Sequence, residues 1–279
     1  MKNIEIIYNL KIEKMKTIRI LPLKIKLQLM VIIVLLMAVG GTVEAQISGV
    51  KNIVIVHGAF ADGSGWKGVY EILAKKGYHV TIVQNPLTSL KDDVEATNRV
   101  LDKQDGPVIL VGHSWGGTVI TEAGMHPKVV ALVYVTAFQP DKGETTLQWI
   151  MTLPPAPENG ILPPDDKGFI YFDKAKFHAG FAGDLSKEEA EFMFASQGPI
   201  FAQCFGTPVA ESAWKSKPSY GIVATEDKSI NPQIERNMYK RSGAITTEVK
   251  GSHVIFISQP DAIAKVIITA AKKTAKNKY

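Results

Sequence analysis

Only one cysteine, Cys204, occurs in the 279 residues, so no internal disulfide can form; the residue suits a small, buried, apolar position. There is no Cys/His cluster and no H-E-x-x-H spacing, so no ligand set for a metal is legible. Directly after the first apolar run, where a dinucleotide-binding turn would stand, the chain reads His57-Gly58-Ala59-Phe60; the spacing Gly63-x-Gly65-x-x-Gly68 comes only after six intervening residues, around a Trp, and is too far from the strand for a dinucleotide. No cofactor is therefore expected. Excess charge is missing from the body of the chain. Residues 1–45 hold seven Lys/Arg against three Glu, and the remainder holds 25 against 24, with four lysines crowded into 272–278. So even a balance argues against nucleic acid as a partner. Arginine is absent between Arg99 and Arg236, which removes the usual bidentate clamp for a carboxylate from that stretch. No internal repeat and no low-complexity tract is present.

No apolar run is long enough for a comfortable membrane span. The longest, 27–39, has about 13 residues, interrupted only by Gln28. It follows a lysine-rich start and precedes Gly40, Gly41 and the small-residue stretch Val43-Glu44-Ala45. That pattern reads as an export signal, and residues 1–45 are expected to be removed from a periplasmic or extracellular protein. An uncleaved N-terminal membrane anchor is the rival reading. Beyond this leader, the length fits one large α/β domain with room for an insertion.

The chain is organised around 107–117, PVILVGHSWGG. An apolar run stops at Gly112, Ser114 follows, and a helix-like run begins at Thr118. Strand, sharp turn and helix with serine at the turn make a nucleophile elbow. Side chains two residues either side of Ser114 would collide, so Gly112 and Gly116 stand there. The helix after Ser114 aims free N–H groups at the place where an oxyanion forms.

Apolar runs at 52–56, 78–83, 108–111, 129–135, 220–224 and 244–249 read as strands. Between them lie helical patterns at 66–76, with Ser64 as N-cap, and at 90–103; a last helix spans 259–275, with Pro260 in its first turn. Such alternation implies a six-stranded parallel sheet with helices on both faces. Residues 138–218 break the pattern: prolines come first, then aromatics at helical spacing. The stretch is far longer than an ordinary connection and is expected to be a helical cap inserted into a core made of 46–137 and 219–279.

Ser114 needs an acid, a histidine and an oxyanion hole, in that chain order. Asp227, after the run 220–224, is the chosen acid, with Glu226 and Asp141 as rivals. His253 is the only histidine between the last strand and the last helix, and is assigned as base. One oxyanion donor is the backbone of Trp115. The other comes from the loop 57–60 and is assigned to Ala59, with Phe60 as rival. His57 is expected to bond backbone in that loop. Phe60 and His113 are expected to line the substrate pocket.

Taken together, HGAFADGSGW, VGHSWGG, ATEDKSINP and GSHVIFISQP resemble the α/β-hydrolase family. The nearest branch holds plant methylesterases, hydroxynitrile lyases and bacterial esterases, including pyrethroid-type ester hydrolases. The resemblance covers about residues 51–275 and implies Ser114, Asp227 and His253 as triad. It implies a serine hydrolase acting on small-molecule carboxylic esters. Carbon–carbon bond hydrolysis and a non-catalytic small-ligand receptor remain the alternatives on the same fold. The lyases resembled here carry threonine where this chain has Gly58 and lysine where it has Val254, so lyase chemistry is disfavoured. An aromatic cap, with Phe60 and Trp115 beside Ser114, points to neutral apolar or aromatic esters.

Overall fold

The apolar run at 108–111 lies at the heart of the molecule. The structure, a computed structural model, describes residues 49–276. Its strands are β1 (Asn52–Val56), β2 (His79–Val83), β3 (Val108–Ser114), β4 (Val129–Ala137), the short β5 (Phe169–Ile170) and β6 (Ile200–Phe201), then β7 (Ser219–Ala224) and β8 (Ile245–Val249). Six of them form one sheet in the order β2-β1-β3-β4-β7-β8, and every neighbouring pair is parallel. All residues of β1, β3 and β7 are buried, whereas β8 at the edge is largely exposed. Central strands covered on both faces must be continuously apolar, and an edge strand need not be.

Two helix pairs cover this sheet. Helix α1 (Lys67–Lys75) packs with the last helix (Pro260–Lys276), and α2 (Leu90–Asp102) packs with α3 (Trp115–Ala123). The chain leaves β1 toward β2 on one side and returns to β3 on the other. The crevice at the carboxyl ends of β1 and β3 is therefore a topological switch point, where open α/β sheets bind ligands. One local expectation fails. Ser64 does not cap α1, because Asp62 accepts its N–H at 2.7 Å and opens a 3-10 turn, Gly63–Trp66, from which α1 continues.

Residues 138–218 fold as α4 (Thr146–Ile150), α5 (Lys174–Phe181), α6 (Lys187–Ala195), α7 (Gln203–Gly206) and a 3-10 turn, Ala213–Lys215. The antiparallel pair β5 and β6 adds a strand element that the sequence reading did not contain. Its strands are two residues each, too short to show a period. Phe172, Phe177 and Phe181 are buried together and reach the core at Phe60, whose ring lies 5.8 Å from that of Phe172 and 6.3 Å from that of Phe181. Burial of each such ring contributes about 1.5–3 kcal/mol to folding. The next two helices are α8 (Pro232–Ser242) and α9 (Ile255–Ser258), so that the helix Pro260–Lys276 is α10. The leader expected at 1–45 lies outside the described residues. Among the described residues, no helix is long and apolar enough to cross a membrane.

Candidate active site

At the end of β3 the backbone of Ser114 adopts φ +52° and ψ −120°, a left-handed turn that non-glycine residues enter only when the surroundings enforce it. The glycines around it are steric necessities. A Cβ on Gly112 would run into the carbonyl of Gly116, and one on Gly116 would lie 2.5 Å from the carbonyl of Val56. The loop after β1 approaches equally closely, since a Cβ on Gly58 would sit 2.7 Å from Ser114 Cβ.

Asp227 follows β7 in a tight turn. Its Oδ1 accepts the N–H groups of Ser229 at 2.7 Å and Ile230 at 3.0 Å. Its Oδ2 lies 2.6 Å from His253 Nδ1, and both side chains are buried. The two rivals are engaged elsewhere. Glu226 is half exposed and pairs with Lys250 at 3.5 Å, and Asp141 pairs with Lys215 at 2.6 Å.

His253 is fixed through its backbone as well. Its carbonyl accepts from His113 Nε2 at 3.0 Å and from Thr136 Oγ1 at 3.2 Å, with Thr136 itself at φ +40°. The preceding residue is tied to the cap: the carboxylate of Asp184 accepts the N–H of Ser252 at 2.8 Å and also its hydroxyl.

His113 departs from its expected place. It is fully buried and does not line the cavity that Ser114 and His253 share, because its ring lies behind His253, with centroids 4.7 Å apart. Its Nε2–H is spent on the His253 carbonyl, so Nδ1 carries the lone pair and has no partner among the described residues. Burial, reinforced by the neighbouring His253, holds its pKa well below the ordinary histidine value. His113 is thus a neutral prop for the His253 backbone.

Trp115 departs in its side chain only. Its backbone N–H opens α3, where the first N–H groups have no helical partner. The indole turns away from the cavity and donates to Asp93 Oδ2 at 2.7 Å, so it adds no apolar surface beside Ser114. Asp93 also accepts the N–H of Leu87 at 2.8 Å. Burial raises its carboxyl to about 6, against the pull of the Trp115 and Leu87 bonds. Asp93 is marked in the sequence by its place in α2. It falls on the same helical face as Leu90, Val94, Thr97 and Leu101, where only buried residues lie.

In the loop after β1, His57 bonds backbone. Nε2 accepts the N–H of Asn85 at 2.9 Å, which leaves Nδ1 to donate to the carbonyl of Gly58 at 2.8 Å. Ala59 and Phe60 follow, both buried, with Phe60 at φ +59°. This holds the loop against Ser114.

Ala59, Phe60, Ser114 and His253 open on one cavity of about 250 Å³ between core and cap. Cap residues such as Leu153, Ile161 and Ile170 close it, and no charged side chain lines it. Lys176, which could have reached inward, donates to the carbonyls of Pro157 and Asn159 at 3.2 Å. A wider groove of about 370 Å³ lies between the loop 61–65 and α6 and contains neither Ser114 nor His253. Among the described residues, no group of three or more His, Cys, Asp or Glu is placed to hold a metal ion.

Comparison with known proteins agrees with this architecture. The model of the alpha/beta hydrolase family matches residues 53–266. A pyrethroid hydrolase of Sphingobium wenxiniae is 28% identical over 256 residues, covering 81% of this chain and 90% of its own. A carbendazim hydrolyzing esterase of a Nocardioides species is 31% identical over 180 residues, covering 60% of this chain and 66% of its own. The crystal structure of a pyrethroid hydrolase from Sphingobium faniae superposes with a TM-score of 0.70 at 24% identity, covering 81% of this chain and 99% of the other. A parallel sheet with a strained serine at its switch point, matched over most of its length by that family's pattern, places this chain in the α/β-hydrolase family.

Proposed function

We propose that this protein is a serine ester hydrolase that turns over neutral, apolar or aromatic carboxylic esters through an acyl-enzyme. One observation carries the reading: His253 Nδ1 stands 2.6 Å from a carboxylate whose other oxygen is held by two backbone N–H groups. That imidazole shares a cavity with a serine held at positive φ. Asp227 fixes the proton of His253 on Nδ1, leaving Nε2 as the base. His253 takes the Ser114 proton as Oγ attacks the ester carbonyl carbon. The resulting oxyanion accepts from the backbone N–H groups of Ala59 and Trp115. His253 returns the proton to the departing alkoxide as the C–O bond breaks, and the alcohol leaves an acyl-Ser114. Water, deprotonated by His253, then releases the acid and restores the serine.

The apolar lining supports the substrate class, since a charged group inside would lose its water without gaining a partner. Lyase chemistry is further disfavoured: Val254, next to the proposed base, is buried, and Gly58 has no room for a side chain. A panel of p-nitrophenyl and aryl esters on the purified protein and its Ser114→Ala variant tests the reading. Ser114→Ala is expected to lose several orders of magnitude in kcat with binding largely kept. Neutral aromatic or medium-chain esters are expected to exceed carboxylate-bearing ones at least about tenfold in kcat/KM. Equal turnover by Ser114→Ala overturns the mechanism, and a preference for acidic esters overturns the substrate class.

A further inference from the structure

The end of cap helix α5 and the turn after it meet both loops that carry the acid and the base. The Gly180 carbonyl accepts the hydroxyl of Ser229 at 2.8 Å, and Ser229 in turn donates its N–H to Asp227. The ring of Phe181 stands edge-on to that of His253, with centroids 4.9 Å apart. Three residues on, the carboxylate of Asp184 reaches the segment 251–258. The approach is close: a Cβ on Gly251 would lie 2.7 Å from Asp184 Oδ2.

Asp184 sits at the surface, whereas Ser252 and His253 are buried. Its Oδ2 accepts the N–H of Ser252 at 2.8 Å and the hydroxyl of Ser258, the last residue of α9, at 2.6 Å. Its Oδ1 accepts the hydroxyl of Ser252. An ionised carboxylate can only accept, so the one proton of Ser252 Oγ is committed to Asp184 and the hydroxyl lone pairs stay free. Val254 uses one of them, donating its N–H to Ser252 Oγ at 3.3 Å. The bridge from Asp184 through Ser252 Oγ to Val254 therefore ties down the residues on both sides of His253. It fixes the stretch of backbone from which the imidazole meets Asp227 at 2.6 Å.

We propose that Asp184 is a positioning residue for His253: from the cap it orients 252–254, and so holds the imidazole where Asp227 and Ser114 can use it. This deepens the hydrolase reading above and rests on it. The cap then takes part in the reaction besides enclosing the ester. A displacement of about 1 Å at a reacting group can cost on the order of a hundredfold in rate. On that reading His253 serves acylation and deacylation alike, so its displacement lowers kcat whichever step limits and leaves KM nearly unchanged.

Kinetics with the small ester p-nitrophenyl acetate test this, with rates taken per folded molecule by circular dichroism. Asp184→Ala removes every acceptor, and kcat is expected to fall at least about tenfold with KM nearly unchanged. Asparagine keeps an oxygen for the Ser252 N–H, and its Nδ2 can donate to Ser252 Oγ, whose proton then turns to the Phe181 carbonyl 3.3 Å away. Asp184→Asn is therefore expected to lie closer to wild type than to Asp184→Ala. Ser252→Ala is expected to lower kcat in the wild-type background and to add little in Asp184→Ala, because both changes cut one bridge. A merely structural role would reduce the folded fraction and leave kcat per folded molecule unmoved. That result in Asp184→Ala, a loss in Asp184→Asn as large as in Asp184→Ala, or additive effects of the two alanine changes overturns the assignment while leaving the hydrolase reading intact. Should Asp184→Ala not fold, Ser252→Ala decides: a lowered kcat at constant KM supports the bridge, and an unchanged kcat overturns it. Absence of any Ser114-dependent turnover in wild type overturns both readings.

Discussion

Asp93→Asn separates the cost of burying a carboxyl from the worth of the bonds it accepts. The carboxyl sits beneath the elbow helix, accepting from Trp115 and Leu87, and burial moves it from the ordinary 3.8 to about 6. Below pH 3.8 it is protonated in folded and unfolded chains alike and contributes nothing to pH dependence. As pH rises toward 6 the unfolded chain ionises first, and stability is withdrawn. Above 6 both forms are ionised and the loss levels off at about 3 kcal/mol. About 2 kcal/mol of that loss falls between pH 4.5 and 7.5. Asparagine does not titrate but offers one accepting oxygen, so the Trp115 or Leu87 N–H loses its partner at every pH, at about 1–3 kcal/mol. Urea unfolding of wild type and Asp93→Asn at several pH values across this range gives the difference directly, and groups common to both cancel. The variant is expected to be the less stable at pH 4.5, with the gap closing by about 2 kcal/mol at pH 7.5. A gap that stays constant refutes the raised carboxyl. A gap that widens with pH means the two accepted bonds outweigh burial.

Three further outcomes are expected from the site and the groups behind it. Glu235 is fully buried with both carboxyl oxygens unpartnered among the described residues, and burial, then the nearby Asp227, pushes its pKa well above the usual glutamate value. Glu235→Gln is expected to stabilise the protein at neutral pH, where the unfolded chain ionises this carboxyl and the folded chain resists ionising it, and the gain should vanish in urea melts near pH 4. Gly58→Ala places a Cβ 2.7 Å from that of Ser114; a loss of at least about tenfold in kcat with about 1–3 kcal/mol of stability is expected from kinetics and melts, and an unchanged kcat argues against the close approach. In the ester panel, Phe60→Ala is expected to lower kcat/KM for aromatic esters more than for acetate, because Phe60 forms cavity wall and anchors the cap aromatics.

Much of the fold was legible because its signals are local. Unbroken apolar runs marked the central strands, and a serine flanked by glycines at fixed spacing marked the turn at Ser114. Chain order then singled out Asp227 and His253, and the structure brings those two side chains together at 2.6 Å. What the sequence hid depends on direction. Trp115 follows Ser114 in the chain, yet its indole points to Asp93, a partner 22 residues away. His113 also neighbours Ser114, and alternation along β3 sends its ring to the far side, behind His253. Ser64 lost the capping position to Asp62 because either can serve a helix start, and only backbone geometry decides between them. The pair β5 and β6 joins Phe169 to Phe201 and Ile170 to Ile200 through two-residue strands, which leaves no periodic trace.

The insertion of residues 138–218 between β4 and β7 divides the site along the chain. Ser114 and the loop at Ala59 belong to the first half, whereas Asp227 and His253 belong to the second. The halves meet through the parallel pairing of β4 with β7, across some eighty intervening residues, a contact of high sequence separation that forms slowly. A nascent chain that has emerged only through the cap therefore presents the serine without its partners. On the proposed assignment, chemical reactivity of Ser114 toward an acylating probe reports the completion of folding for the entire chain, and can serve as its clock.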